Sequence, residues 1–290
     1  MTRPVCALTG GKGYVGSRIR KMLEANGWEV VLLLRRCNTA DSDSAIPWSL
    51  QSEESITAAL RARSVQALVH AAWDLSIIDP LEYERTNFEG SRRLLEAANA
   101  AHVRRIVFIS TISAFDGTVS LYGHTKLRVE QMAASLAGVC VRPGLVWGDQ
   151  PGGMLGSIRK TVHNATIVPL IGSGLYPQYL VHEDDLSAGV THLCRDQPAL
   201  STPITAAHPR MWYFRDIVRA CADQEGKRVR LVGVNWRIVY GGLKLAERVG
   251  LHPGFRSDSV LSLVHQNPNP DFSGIESLGI SLRPFPEMRH

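Results

Sequence analysis

Cysteine is scarce in this chain. There are five, Cys6, Cys37, Cys140, Cys194 and Cys221, odd in number, scattered, and with no C-x-x-C pair. That argues against a disulfide framework and a structural zinc site, and no metal is expected. It also points to a reducing, cytoplasmic compartment. Cys6 and Cys140 fall in strand-like runs and read as small core residues. Long apolar runs are absent too. None reaches the roughly 18 residues of a membrane span, and "MTRPVCALTG" enters a strand-like segment directly, so neither a span nor a secretory leader is expected, nor a membrane partner. Lys and Arg form no extended run, and the formal charge of +5 with pI near 9.1 is mild for 290 residues. Nucleic acid is therefore not expected, while anionic small ligands stay compatible. Internal repeats and low-complexity linkers are missing as well. What is present, 44% apolar and 20% charged residues, suits a soluble globular chain with a sizeable core.

The first half alternates short β-type runs with helical patterns. Strands are expected at Val5–Thr9, Glu29–Leu34, Ala67–His70, Arg105–Ser110 and Val139–Arg142. Helices are expected at 14–27, Ser55–Ala62, Leu81–Ala101 and Tyr122–Leu136. Continuously apolar strands between helices, such as "EVVLLL", imply an α/β fold, a doubly wound parallel sheet covered on both faces. After about residue 150 the text becomes turn-rich ("QPGGMLG", "VPLIGSGLYPQ"). The expected division is a cofactor domain over 1–150, to which 178–196 returns, and a smaller substrate lobe over 151–177 and 197–290.

"ALTGGKGYVGS" closes the first strand and opens the first helix. Gly10 allows the sharp turn, Gly13 allows close approach of a pyrophosphate, and Gly16 allows the helix to pack on the sheet. The N–H groups at the helix start, around Tyr14 and Val15, suit an anion. A plain β-turn-α connection rarely needs four glycines in seven residues, so dinucleotide binding and a Rossmann architecture are expected. The second strand ends in "LLLRRCN". Arg35 and Arg36 offer a planar fork to a phosphate, with no Asp to repel it, so NADP is favoured over NAD. The plainer alternative is two solvated arginines.

"SLYGHTKLRVE" sets Tyr122 and Lys126 on one helical face, one turn apart. The pair suits a proton relay; the plainer reading is a first turn with a lysine reaching into water.

"TGGKGYVG", "HAA", "TNFEGSRRLLEAA", "FISTISAF", "YGHTK", "VRPGLVWG" and "YLVHEDDLSAG" occur in this order. Together they resemble the extended short-chain dehydrogenase/reductases, the NAD(P)-dependent epimerase/dehydratase group, over roughly residues 3 to 195. The resemblance implies an oxidoreductase moving hydride to or from a carbonyl or secondary alcohol, with a nucleotide-linked sugar as leading substrate class. A small ketone or aldehyde is the alternative, and a non-catalytic NADP-binding scaffold or sensor a second. It implies Tyr122 as acid/base, Lys126 beside it and on the nicotinamide ribose, and Thr111 as the hydroxyl partner, with Ser113 as alternative. A nearby ammonium is expected to lower the phenol's pKa. The ten residues between Thr111 and Tyr122 form a shorter connection than in larger relatives, implying a more open cleft on that side. The resemblance further places His70, Ala71, Ala72 and Ser110 beside the cofactor, Leu50 at the adenine, and Pro143 and Gly144 at the carboxamide. His70 reads equally well as a packed strand-end residue, and Asn87 as a brace. A homodimer is a family expectation.

Three clusters read more simply as structure. His182, Glu183, Asp184 and Asp185 suit a helix start better than a metal. Trp212, Tyr213 and Phe214 suit a helix start burying rings better than a substrate pocket. Arg159, Lys160, Arg210 and Arg237 could meet a diphosphate, but their spacing does not favour it.

Overall fold

The computed structural model describes residues 3–36, 44–195, 203–251 and 255–286; Cys37 lies outside them. Strands β1 (Val5–Thr9), β2 (Glu29–Leu34), β3 (Ala45–Pro47), β4 (Val65–His70), β5 (Arg105–Ile109) and β6 (Val139–Pro143) form one parallel sheet with β11 (Ile204–Ala206), in the order β11-β6-β5-β4-β1-β2-β3. The apolar runs that suggested buried strands are buried: every residue of β1 and all of β2 after Glu29. The strand order reverses between β1 and β4. In open α/β sheets that crevice, beyond the strand C-termini, is where ligands bind.

Helices cover both faces. On one side lie α1 (Tyr14–Ala25) and α7 (Glu183–Leu193), which pack together. On the other lie α2 (Thr57–Ala62), α4 (Gly90–Ala100) and α5 (Leu121–Ser135). The helix expected from Leu81 starts one residue earlier, where Asp79 accepts a hydrogen bond from Glu82 N (2.8 Å) ahead of Pro80. It runs as α3 (Pro80–Tyr83), a π-helical segment (Glu84–Glu89), then α4. The π segment holds Asn87 fully buried, gripping Asp74 through both its backbone groups (2.8 and 2.9 Å).

The second half crosses between layers repeatedly. β7 (Leu145–Trp147) pairs with β10 (Leu180–His182). Between them α6 (Gly153–Asn164), β8 (Ile167–Ile171) and β9 (Pro177–Gln178) enter a lobe completed by β12 (Trp212–Tyr213), α8 (Phe214–Gln224), β13 (Arg230–Val234), α9 (Trp236–Arg248) and α10 (Ser257–Val264). Trp212 and Phe214 sit in the lobe's apolar core with Leu155, Leu170 and Phe285. Two segments expected in the lobe pack on the main sheet instead. β11 forms its edge, and α11 (Ser273–Glu276) lies against β11, with Ile275 and, just past the helix, Leu278 entering the sheet's core. Arg283 then binds Asp185 from its backbone N (2.7 Å) and its Nε (2.8 Å). An exposed edge strand needs a cover, and the tail supplies it.

Candidate active site

The glycine loop behaves as a cradle. Gly10 has φ +69°, and a Cβ there would meet the Ala71 carbonyl carbon at 2.9 Å. A Cβ on Gly16 would collide with the Gly10 carbonyl. Beyond the loop, at the β1/β4 crevice, is a cleft of about 410 Å³ that gathers Gly10, Gly13, Arg35, Leu50, Ala72 and Trp73. These residues fit a dinucleotide: an anion-binding turn, a cation at the end of β2, and apolar walls. Ser110 adds a second sign. Its buried Oγ has no hydrogen-bond partner among the described residues.

Not every expected cofactor residue faces this cleft. Arg36 is exposed at the end of β2 but does not line it. Tyr14 turns toward the start of α7, where burial and Glu183 push its phenol up; Val15 packs against the core. His70 is fully buried, and its side chain is a brace, not a ligand contact. Ser91 donates to Asn87 O (2.5 Å), so His70 Nε2 must donate to Ser91 Oγ (2.8 Å) and Nδ1 must accept from Thr9 Oγ1 (2.7 Å). Burial depresses the imidazole to about 3, with Lys126 adding to the effect, in keeping with this neutral tautomer. Thr9 Oγ1 in turn accepts the N–H groups of Ala71 and Ala72 (3.0 Å each), so those two donors are already engaged. Pro143 O accepts from Ile112 N (3.0 Å), and Gly144 lets the chain pass against the Tyr179 backbone.

Thr111, Tyr122 and Lys126 converge where β5 ends and α5 begins. Ser120 caps α5 by accepting from Gly123 N (3.0 Å). The short connection before it folds tightly, because Gly123 leaves room for Thr118 and the Ser113 carbonyl. The Thr111 hydroxyl pulls the Tyr122 phenol's pKa down, and it also accepts the backbone N–H of Ser113 (3.2 Å), which leaves the Ser113 hydroxyl uncommitted.

Lys126 differs from expectation. It is buried (3% exposed), donates to Ile109 O at 2.7 Å, and lies over the rings of Trp73 (3.9 Å) and Phe108 (4.6 Å). Its Nζ is 6.0 Å from the Tyr122 ring centre. Burial depresses the ammonium to about 7, against a smaller upward pull from Glu130. The phenol of Tyr122 is raised, not lowered: burial pushes it up, the Thr111 hydrogen bond pulls it partly back, and Asp258 pushes it up further. Desolvation sets the direction for the phenol, while the Lys126 ammonium donates to the Ile109 carbonyl and lies over the Trp73 and Phe108 rings.

Two framing residues were invisible in the sequence reading. Asp258, on α10, accepts the backbone N–H groups of Leu121 (2.8 Å) and Tyr122 (3.0 Å). It places a carboxylate at the positive end of α5. No spacing rule connects it to Tyr122. Trp73 immediately follows the "HAA" motif, so its place beside the site was available as a hint. It donates to the Tyr83 hydroxyl (2.7 Å) and meets Tyr122 edge-on at 6.2 Å. The acids at 183–185 make ion pairs: Glu183 with Arg18 (3.1 Å), Asp184 and Asp185 with Arg283 (3.3 and 2.8 Å).

A doubly wound sheet with a glycine cradle at its switch point, and a tyrosine, lysine and threonine beside it, defines a dinucleotide-dependent enzyme of the short-chain dehydrogenase/reductase type. The model of the NAD dependent epimerase/dehydratase family matches residues 6–203, and the chain belongs to that family. Among curated relatives, a ceramide reductase of Caulobacter vibrioides is 24% identical over 241 residues, covering 79% of this chain and 73% of its own. A UDP-glucose 4-epimerase of Azospirillum brasilense is 29% identical over 306 residues, covering 86% and 87%. Among solved structures, a UDP-glucose 4-epimerase of Thermus thermophilus in complex with NAD superposes with TM-score 0.66 at 21% identity, covering 90% of this chain and 97% of that one; it shows the shared fold.

Proposed function

We propose that this protein uses NADP(H) to interconvert a carbonyl and a secondary alcohol, with Tyr122 as the proton donor or acceptor. The observation that carries this reading is the convergence of Thr111, Tyr122 and Lys126 beside a cradle whose β2 rim bears, among the described residues, Arg35 and no acid. Reduced nicotinamide, when bound, supplies a hydride to the carbonyl carbon. Tyr122 passes its proton to the carbonyl oxygen as the C=O π bond breaks, and Thr111 holds that oxygen in place. Burial raises the Tyr122 phenol, which suits it to the donor role. Gly10, Gly13 and Ser110 would hold the dinucleotide, and Arg35 its 2′-phosphate.

The substrate class follows two lines. The nucleotide-sugar epimerases among the relatives support a nucleotide-linked sugar. A non-nucleotide ketone is favoured by the lobe's cations. Arg159, a candidate for a diphosphate, is held by Glu225 (2.9 Å) and the Asp149 carbonyl (2.9 Å), and Arg237 is exposed on α9. The relative named for a ceramide points the same way.

Titrating NADP and NAD against the Arg35→Ala variant tests the cofactor reading. A loss for NADP at least about tenfold greater than for NAD is expected, the loss of one charge-assisted phosphate contact; equal losses would remove Arg35 from that role. Tyr122→Phe should keep cofactor affinity and lose at least about 10²-fold in turnover. Undiminished turnover would reject the proton role. A rise in melting temperature with UDP or dTDP would select the nucleotide-sugar class, and no rise with either the ketone.

A further inference from the structure

Helix α9 turns a second face outward that packing does not explain. Its inward residues are Trp236, Val239, Tyr240, Leu243 and Glu247, and Glu247 is buried, accepting from Ser257 N (2.8 Å) and Oγ (2.6 Å). On the opposite side Ile238, Leu245 and Val249 are 69%, 63% and 66% exposed. With Gly242 they recur at the spacing of one helical stripe. A Cβ added at Gly241 or Gly242 meets nothing within 4 Å, so that face is open. Beside the stripe run Arg237, Lys244 and Arg248, also on one side of the helix.

The charge of this stretch of the chain is one-sided. Residues 226–251 contain six cations, Lys227, Arg228, Arg230, Arg237, Lys244 and Arg248, and one acid, the buried Glu247. Among the described residues, no ion pair neutralises Arg237, Lys244 or Arg248. A second copy of this chain on the same face would bring like charges together with no acid between them. A nucleic-acid backbone would answer the charge but leave the apolar stripe in water. An exposed apolar stripe with cations at its flank matches the pattern of helices that lie in a membrane interface.

We propose that the outward face of α9 docks on an anionic lipid bilayer, with Ile238, Leu245 and Val249 entering the interface and the flanking cations meeting lipid phosphates. The expectation of no membrane partner narrows accordingly: among the described residues no helix is long and apolar enough to cross a membrane, but lying on one needs no span. The docking face is two helices from the site, since Ser257 binds Glu247 and its neighbour Asp258 binds the start of α5. This inference is independent of the substrate.

The test is co-sedimentation of the full chain with vesicles of phosphatidylcholine alone and of phosphatidylcholine mixed with phosphatidylglycerol, with sedimentation velocity run alongside. Binding to the anionic vesicles, weakened by salt, is expected. Converting Arg237, Lys244 and Arg248 together to Gln should lower that partitioning by on the order of 100-fold. Ile238→Ser with Leu245→Ser should lower it by at least about tenfold. All of these positions are exposed except Lys244, which is half-buried, and unchanged melting and NADP binding will verify that the variants are folded. Salt dependence of the unaltered chain is a readout that needs no variant. The proposal is overturned by no binding to anionic vesicles at low salt, or by equal binding to neutral ones. It is equally overturned if the double Ser change dissolves a dimer and leaves vesicle binding untouched, which would assign the face to a second copy.

Discussion

Replacing Lys126 by methionine is expected to stabilise the cofactor-free protein while abolishing turnover. The ammonium falls from 10.5 to about 7 on burial, which at 1.36 kcal/mol per pKa unit is about 5 kcal/mol against the charged form. Methionine keeps most of the stem's packing but leaves Ile109 O without its donor, costing about 1 kcal/mol. The balance is about 4 kcal/mol in favour of methionine below neutral pH, or roughly 8 °C in melting temperature. The sign with pH follows from proton binding. Between about 7 and 10.5 the unfolded lysine holds more proton than the folded one, so the unaltered protein gains stability as pH rises and the variant's advantage shrinks. Urea titrations of the cofactor-free proteins at about pH 6 and about pH 9.5 span that window. A Lys126→Met protein clearly less stable at the lower pH, or an advantage that grows with pH, would refute the reasoning.

Asp258→Asn removes a charge that raises the Tyr122 phenol and helps cap α5. The alkaline limb of kcat/KM should therefore move to lower pH, with a stability loss of about 1 kcal/mol; a limb that stays put or moves up would rule out the electrostatic link. Glu130→Gln leaves Arg142 without the partner it holds at 2.6 and 2.9 Å in a largely buried pair. A loss of about 3 kcal/mol is expected from the urea midpoint, and a change within experimental error would show that water already solvates the pair.

Much of this protein could be read locally. A continuously apolar strand has few alternatives to a buried parallel position, so Glu29–Leu34 and Val5–Thr9 were legible as they stood. Gly16 was legible for a related reason: a side chain there would collide with the Gly10 carbonyl within the same loop, so the turn tolerates little else. The i, i+4 spacing of Tyr122 and Lys126 was legible because a helix fixes it. Where reading stopped was at side-chain direction and long-range return. The sequence could place Lys126 near Tyr122, but not that its ammonium would turn to Ile109 O and Trp73.

By itself, then, the order of residues determined the sheet, the cradle and the position of the reactive helix, since each depends on contacts or spacings within a few tens of residues. Only the tertiary structure decided the electrostatics of the phenol, because burial and the Asp258 carboxylate come from elements far apart in the chain. It also decided that α11 would return to cover β11, and that one face of α9 would be left apolar and basic toward solvent. An amphipathic pattern records that a helix has two faces; what each face meets depends on the packing of everything else.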